Sequence, residues 1–159
     1  MIFVTLGTND KEFRRPLIEL DRLVKDGVIK EHIVVQAGYT KYNSDNMEIF
    51  DTLDIKTFKK YMNECDLLIT HGGIGSITDA LYYNKRVIAI PRLAKYKEHV
   101  NDHQLDIVNE FYNLGYLLKV EDIKDLEKVY LEAKKRKPVK LKNNNYKMIK
   151  IITDFIDKK

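Results

Sequence analysis

From Asp66 to Gln104 the chain runs through an apolar segment, a glycine-dense break, a resumed helical rhythm and a second apolar segment, and this order constrains the fold most. Leu67-Leu68-Ile69 is short enough to be a buried strand, and His71-Gly72-Gly73-Ile74-Gly75-Ser76 interrupts it. Ile77, Ala80 and Leu81 then follow at helical spacing, and Val87 to Ile90 forms another apolar run that ends at Pro91. Strand, turn, helix, strand is the sequence of a parallel crossover unit. Its turn sits at the carboxyl end of the first strand, where the first N–H groups of the helix lack partners and point outward. Glycines there let the backbone approach a phosphate without intervening side chains. The stretch therefore predicts a site for a diphosphate-bearing ligand.

The remaining chain repeats the alternation. Ile2 to Leu6 reads as a buried strand that stops at Gly7-Thr8-Asn9-Asp10, with Asn9 or Asp10 expected to cap the next helix. Phe13, Leu17, Leu20 and Val24 recur at helical spacing; Pro16 marks either the start of that helix or a kink in it, and Gly27 its stop. His32 to Gln36 is the second strand. Residues 41–54 are polar and turn-rich apart from Met47–Phe50, and no element is assigned there. Ile55 to Glu64 returns to a helix, with Phe58, Tyr61 and Met62 inward. Beyond Gln104, a stripe of Leu105, Val108, Phe111 and Tyr112 is followed by a strand from Tyr116 to Val120 and a helix from Ile123 to Lys135. Pro138 breaks the pattern, and Asn143-Asn144-Asn145 is placed to cap a last amphipathic helix bearing Met148, Ile149, Ile152, Phe155 and Ile156.

This pattern predicts an α/β fold, a Rossmann-like open parallel sheet with helices on both faces. Residues 1–137 would form the body, and 138–159 a basic amphipathic helix of the same domain. Ligands of such sheets bind at the carboxyl ends of the strands. Four loops point there: Gly7–Asp10, Ala37–Thr40, His71–Ser76 and Pro91–Gln104.

With 159 residues the chain suits one domain. Its single cysteine, Cys65, adjoins an apolar strand and reads as a buried thiol in a reducing cytosol. Neither a signal peptide nor an apolar stretch long enough to span a bilayer is expected. The formal charge of +4 is unevenly distributed: residues 134–159 carry ten Lys/Arg against two Asp. Nucleic-acid binding through that tail is disfavoured, because it shows no recognised nucleic-acid-binding motif.

Individual residues allow more than one role. The turn lacks both the G-x-G-x-x-G register and the Lys-Ser/Thr of a phosphate loop, which disfavours ordinary dinucleotide binding and P-loop hydrolysis. Asp79 either complements the helix dipole or accepts from ribose hydroxyls. Thr8 and Ser76 either cap helices or bond phosphate oxygens. His71 either stabilises the turn or serves the chemistry. Arg92 and Lys95 are cations suited to a diphosphate, or idle ones. The run Glu98-His99-Val100-Asn101-Asp102-His103-Gln104 is dense enough in polar groups to read sugar hydroxyls. As a metal site it lacks ligand spacing, and none is expected.

Taken together, the opening V-T-L-G-T, Phe13-Arg14-Arg15-Pro16-Leu17, the run I-T-H-G-G-I-G-S-I-T-D-A-L, then I-P-R, E-H and D-H-Q resemble the carboxyl-terminal, donor-binding domain of family 28 glycosyltransferases. The resemblance is strongest to the small split members, which serve dolichol-linked glycan assembly and bacterial exopolysaccharide or capsule synthesis. It implies the donor half of a GT-B enzyme. Gly72, Gly73, Ile74, Gly75 and Ser76 would contact the diphosphate of a UDP-sugar, with Arg92 as a further donor contact. Asp79 would take the ribose, where many relatives carry Glu. Asp102, His103 and Gln104 would take the transferred sugar, Gly7 and Thr8 would face the cleft, and Ile55–Phe58 would lie near the uracil. It further implies inverting transfer of a hexose or N-acetylhexosamine without metal or cofactor. The acceptor would be polyprenyl-linked and held by a membrane-associated partner subunit, which would keep this cytoplasmic chain peripheral at the membrane. No residue identifies itself as the general base; His71 and His99 are the candidates. The competing reading is a non-catalytic subunit that stabilises a transferase encoded elsewhere.

Overall fold

The computed structural model describes residues 1–141 together with Lys150 and Asp154. Among the described residues six parallel strands form one sheet: β1 (Ile2–Thr5), β2 (Ile33–Gln36), β3 (Glu48–Phe50), β4 (Leu67–Thr70), β5 (Arg86–Ala89) and β6 (Leu118–Lys119), in the order β3-β2-β1-β4-β5-β6. β1 and β4 are buried along their whole length, as continuous apolar runs in a sheet covered on both faces must be. Successive side chains of β1 alternate between the two layers. Ile2 and Val4 join a core with Leu17, Leu20 and Leu23 of α1 (Arg15–Lys25) and with Leu126 and Tyr130 of α5 (Leu126–Lys135). Phe3 joins a second core on the opposite face, built with Met62 of α2 (Ile55–Glu64), Ile77 and Leu81 of α3 (Ile74–Tyr82), and Val108 and Phe111 of α4 (His103–Asn113). The doubly covered parallel sheet expected from the alternation is the one observed.

Three details differ from expectation. The unassigned segment supplies a sixth strand: β3 pairs with β2 through Val34–Glu48, Val35–Ile49 and Gln36–Phe50. It is an edge strand with an exposed Glu48 and two half-buried residues, so it lacks the apolar run that marks the others. The segment before it is held to α1 by Asp21, whose carboxylate accepts from Tyr42 Oη (2.8 Å), Ser44 Oγ (2.7 Å) and Asn46 Nδ2 (2.7 Å). Burial opposes ionisation of Asp21, but the hydrogen bonds from Asn46, Ser44 and Tyr42 outweigh it and lower its pKa.

Secondly, α1 begins at Arg15, not after Asn9 or Asp10, and Pro16 stands in its first turn without kinking it. Asn9 instead closes its own loop, its Oδ1 accepting from Lys11 N at 2.9 Å. Gly27 does follow the helix end, with φ +73°. Thirdly, only Leu118–Lys119 of the expected 116–120 strand form β6, although Val120 N still donates to Ala89 O at 3.0 Å. The proposed terminal helix lies largely outside the described residues. Val139 and Leu141 pack against the second core, although α5 lies on the first, so the chain crosses to the other face after α5.

Candidate functional site

Because every strand is parallel, all their carboxyl ends share one rim. The connections from β1 and β4 depart to opposite sides, which opens a crevice between the Gly7 loop and the His71 turn; such switch points are where open α/β sheets bind ligands. The walls of this crevice are close. Gly7 has φ +78°, and a Cβ there would lie 2.7 Å from His71 Nε2. No side chain fits that position.

The glycine turn leads into α3, whose N-cap, Gly73, offers no side-chain hydrogen bond, and whose first turn carries no acidic residue. The first N–H groups of α3 are thus left without a side-chain cap. Gly75 is exposed, Ser76 half-buried and Asp79 exposed. Ser76 and Asp79 are three residues apart on a helix and share a face. Thr78 is spent locally: its hydroxyl donates back to the carbonyls of Ile74 (2.9 Å) and Gly75 (3.0 Å). Thr8 is exposed on the facing loop.

His71 is half-buried between these walls. Its Nδ1 accepts from Gly73 N at 3.1 Å and lies 3.2 Å from Gln104 Nε2. Two donors on Nδ1 place the ring proton on Nε2. Burial, then the nearby charge of Arg92, depresses its pKa to about 4. At neutral pH the ring is a neutral Nε2–H donor, not a free base. His99 is placed similarly, its Nδ1 accepting from Asn101 N at 3.3 Å. In both histidines Nδ1 is taken up by a backbone N–H two residues on.

The loop after β5 departs furthest from expectation. Arg92 is fully buried. Its guanidinium donates to the carbonyls of Leu6 (2.7 Å), Lys11 (2.7 Å) and Glu98 (3.0 Å), and lies 4.9 Å from the centroid of the Phe13 ring. Burial lowers its pKa to about 10, so it stays charged. Its N–H groups are turned on carbonyls inside the fold, so Arg92 braces the loops after β1 and β5 and is not a diphosphate contact. Lys95 remains exposed, its ammonium 4.9 Å from the Tyr96 ring centroid.

Gln104 is equally committed. Its Oε1 accepts from Gly72 N (3.0 Å) and Arg92 N (3.1 Å), stapling the start of α4 to the glycine turn. A Cβ on Gly72 would lie 2.7 Å from both Gln104 Cβ and Gln104 O. Asp102 Oδ1 accepts from Ala94 N at 2.8 Å within the loop, and His103 is exposed beside it. The structure thus joins the start of α4 to the glycine turn through Gln104, sets Gly7 against His71, leaves Thr8 and Asp79 exposed, and turns Asp102 onto the loop after β5. Ile55 projects from the start of α2 at 77% exposure, whereas Phe58 packs on Phe3. Among the described residues no three His, Cys, Asp or Glu side chains gather as a metal site.

One pair had no assigned role in the sequence. Arg15 donates through Nε and Nη2 to the two oxygens of Glu98, at 3.0 and 2.9 Å. The motif contained both residues, but 83 positions separate them and nothing in the sequence links them.

Comparisons with known proteins bear on the family and the fold. A UDP-N-acetylglucosamine transferase subunit ALG13 from Candida albicans is 33% identical over 90 residues, covering 57% of this chain and 29% of that relative. This chain therefore spans less than a third of that relative's length. Among solved structures, ALG13 superposes with a TM-score of 0.57 at 20% identity over 90% of each chain. The calicheamicin glycosyltransferase CalG4 superposes with a TM-score of 0.64 at 11% identity, covering 98% of this chain and 38% of CalG4. These are likenesses of fold. Residues 1–158 match the glycosyltransferase family 28 C-terminal domain, and the chain belongs to that family.

Proposed function

We propose that the chain is the donor-binding catalytic subunit of a two-component inverting glycosyltransferase, with UDP-N-acetylglucosamine the favoured donor. The observation that carries the reading is the uncapped start of α3 at the switch-point crevice, with exposed Asp79 on the same helix. A departing UDP gains negative charge at its diphosphate. The first N–H groups of α3 and the positive end of its dipole stabilise that charge where it develops. The neutral Nε2–H of His71 adds a donor at the same wall. Asp79, a turn further along, accepts from the ribose, and Asp102 and His103 reach the sugar.

The acceptor hydroxyl must lose a proton, and neither histidine is arranged to take it. The base then comes from the other half of the cleft, on a partner subunit. The ALG13 relative is named as a subunit, which supports an assembly of this kind. No helix among the described residues is long and apolar enough to cross a membrane. On this proposal a polyprenyl-linked acceptor, of an exopolysaccharide, capsule or glycan pathway, is presented by a membrane-associated partner at the cytoplasmic face.

Asp79→Ala in the reconstituted pair tests this reading. Losing charge-assisted bonds to the ribose lowers transfer by about a hundredfold, with folding unchanged. Undiminished transfer would mean a non-catalytic stabilising role. Gln104→Ala does not discriminate, because the staple to Gly72 matters under either reading.

A further inference from the structure

Arg15 and Glu98 are two of the most heavily engaged polar side chains under the rim, and neither belongs to the crevice. Their side chains are 13% and 5% exposed. Arg15 also donates to Pro91 O at 3.0 Å, and Glu98 Oε2 accepts from Leu93 N at 3.1 Å. The carboxylate thus closes the 93–98 loop on itself, and the guanidinium fastens the closed loop to the first turn of α1. That helix is anchored in the core through Leu17, Leu20 and Leu23. Four residues beyond Glu98 the same segment reaches Asp102, then Gln104 with its staple to Gly72.

Stability alone is a poor account of this pair. Removing two charges from water is expensive, and apolar residues of similar volume often serve as well. Arg15 Nη1 is buried with no hydrogen-bond partner among the described residues, a further cost. What a two-point Arg–carboxylate contact supplies beyond attraction is direction, because both groups are planar and the fork fits in one orientation.

We propose that Arg15 and Glu98 are positioning residues that fix the 102–104 segment relative to the glycine turn, and so set how the sugar of the donor is held without touching it. The inference rests on the donor reading above. UDP lacks the sugar, so its contacts with the turn and Asp79 are independent of the pair. UDP-N-acetylglucosamine needs both regions at one spacing.

The test is binding of UDP and of UDP-N-acetylglucosamine to the full chain, by titration calorimetry or NMR, in the wild type and in Arg15→Met/Glu98→Met. The double replacement removes both charges together and leaves neither orphaned. Losing one well-placed sugar contact raises the Kd for UDP-N-acetylglucosamine about tenfold, with the Kd for UDP within about twofold of wild type. Arg15→Lys keeps the charge, removes the fork and shows the same selective loss; it carries the test if the double variant fails to fold. Affinities that fall in parallel, or that do not change, overturn the inference and leave the donor reading standing. A wild-type chain that binds neither nucleotide overturns the donor reading and this inference with it.

Discussion

The turn after β4 and the loop after β5 lie side by side on one rim, and they treat their polar groups in opposite ways. In the turn, backbone N–H groups at the start of α3 have no side-chain cap, and exposed Gly75 leaves open space above them. In the loop, Arg92, Glu98, Asp102 and Gln104 all bond to backbone groups of the loop or its neighbours. The N–H groups of Gly72 and Gly73 are taken by Gln104 and His71, but those that follow at the start of α3 can stay uncapped because they face solvent or ligand. The longer loop passes beneath the rim, where each buried polar group must find a partner. Dense polar residues in a sequence can therefore mark a loop that holds itself in place, while a run with hardly any side chains marks the surface left open.

The largest expected effect falls on the braced side. Arg92→Met leaves the carbonyls of Leu6, Lys11 and Glu98 without their donor in a fully buried site. Loss of a buried charged donor costs about 3–5 kcal/mol. For a domain of this size that lowers the thermal midpoint by roughly 10 °C. Chemical or thermal denaturation measures it. A loss below about 1 kcal/mol would show that these bonds are weak and break the contrast between the loops.

Gly72→Ala probes the seam between them. The added methyl meets Gln104 Cβ and O at 2.7 Å and Val108 Cγ2 at 3.0 Å. One of those contacts is backbone of α4, so the helix must move, and overpacking of this kind costs about 2 kcal/mol. Denaturation gives the size of the loss, and backbone NMR shifts should spread along α4. A variant with wild-type stability and unmoved α4 resonances would mean that the turn and α4 are not rigidly joined.

These effects separate what could be read from the sequence and what could not. The strands β1, β2, β4 and β5 announce themselves as unbroken apolar runs, because a doubly covered sheet leaves them no polar face. β3 does not, since a half-buried edge strand with Glu48 looks like a loop until Val34 and Gln36 are known to pair with it. The glycine turn was legible, since its meaning is local: strand, glycines, helix. Arg92 was not, because a cation in a rim loop looks the same in sequence whether it faces a ligand or three carbonyls. The partner of Arg15 lies 83 positions away, and such a contact exists only once β1, β4 and β5 have aligned. The engagement of His71 and His99 was hidden for a related reason: the bonds that occupy their Nδ1 atoms come from backbone two residues on, a turn geometry that composition does not show.

The smallest expected effect on stability is the sharpest test of the open side. Gly75 lies in the first turn of α3, outside the left-handed region, and a Cβ there meets nothing within 4 Å. Gly75→Ala lowers the conformational freedom of the unfolded chain and suits a helix, so stability rises by about 0.5 kcal/mol. Yet on the donor reading proposed above the methyl would occupy the space through which the diphosphate approaches the helix N–H groups. Transfer by the reconstituted pair, and UDP affinity of the chain, should therefore fall while the thermal midpoint rises slightly. A merely structural glycine moves both quantities in one direction; one kept for ligand approach moves them apart. Full activity in a slightly stabilised Gly75→Ala variant would mean that the diphosphate is held elsewhere on the rim, and that the openness of this turn has no part in catalysis.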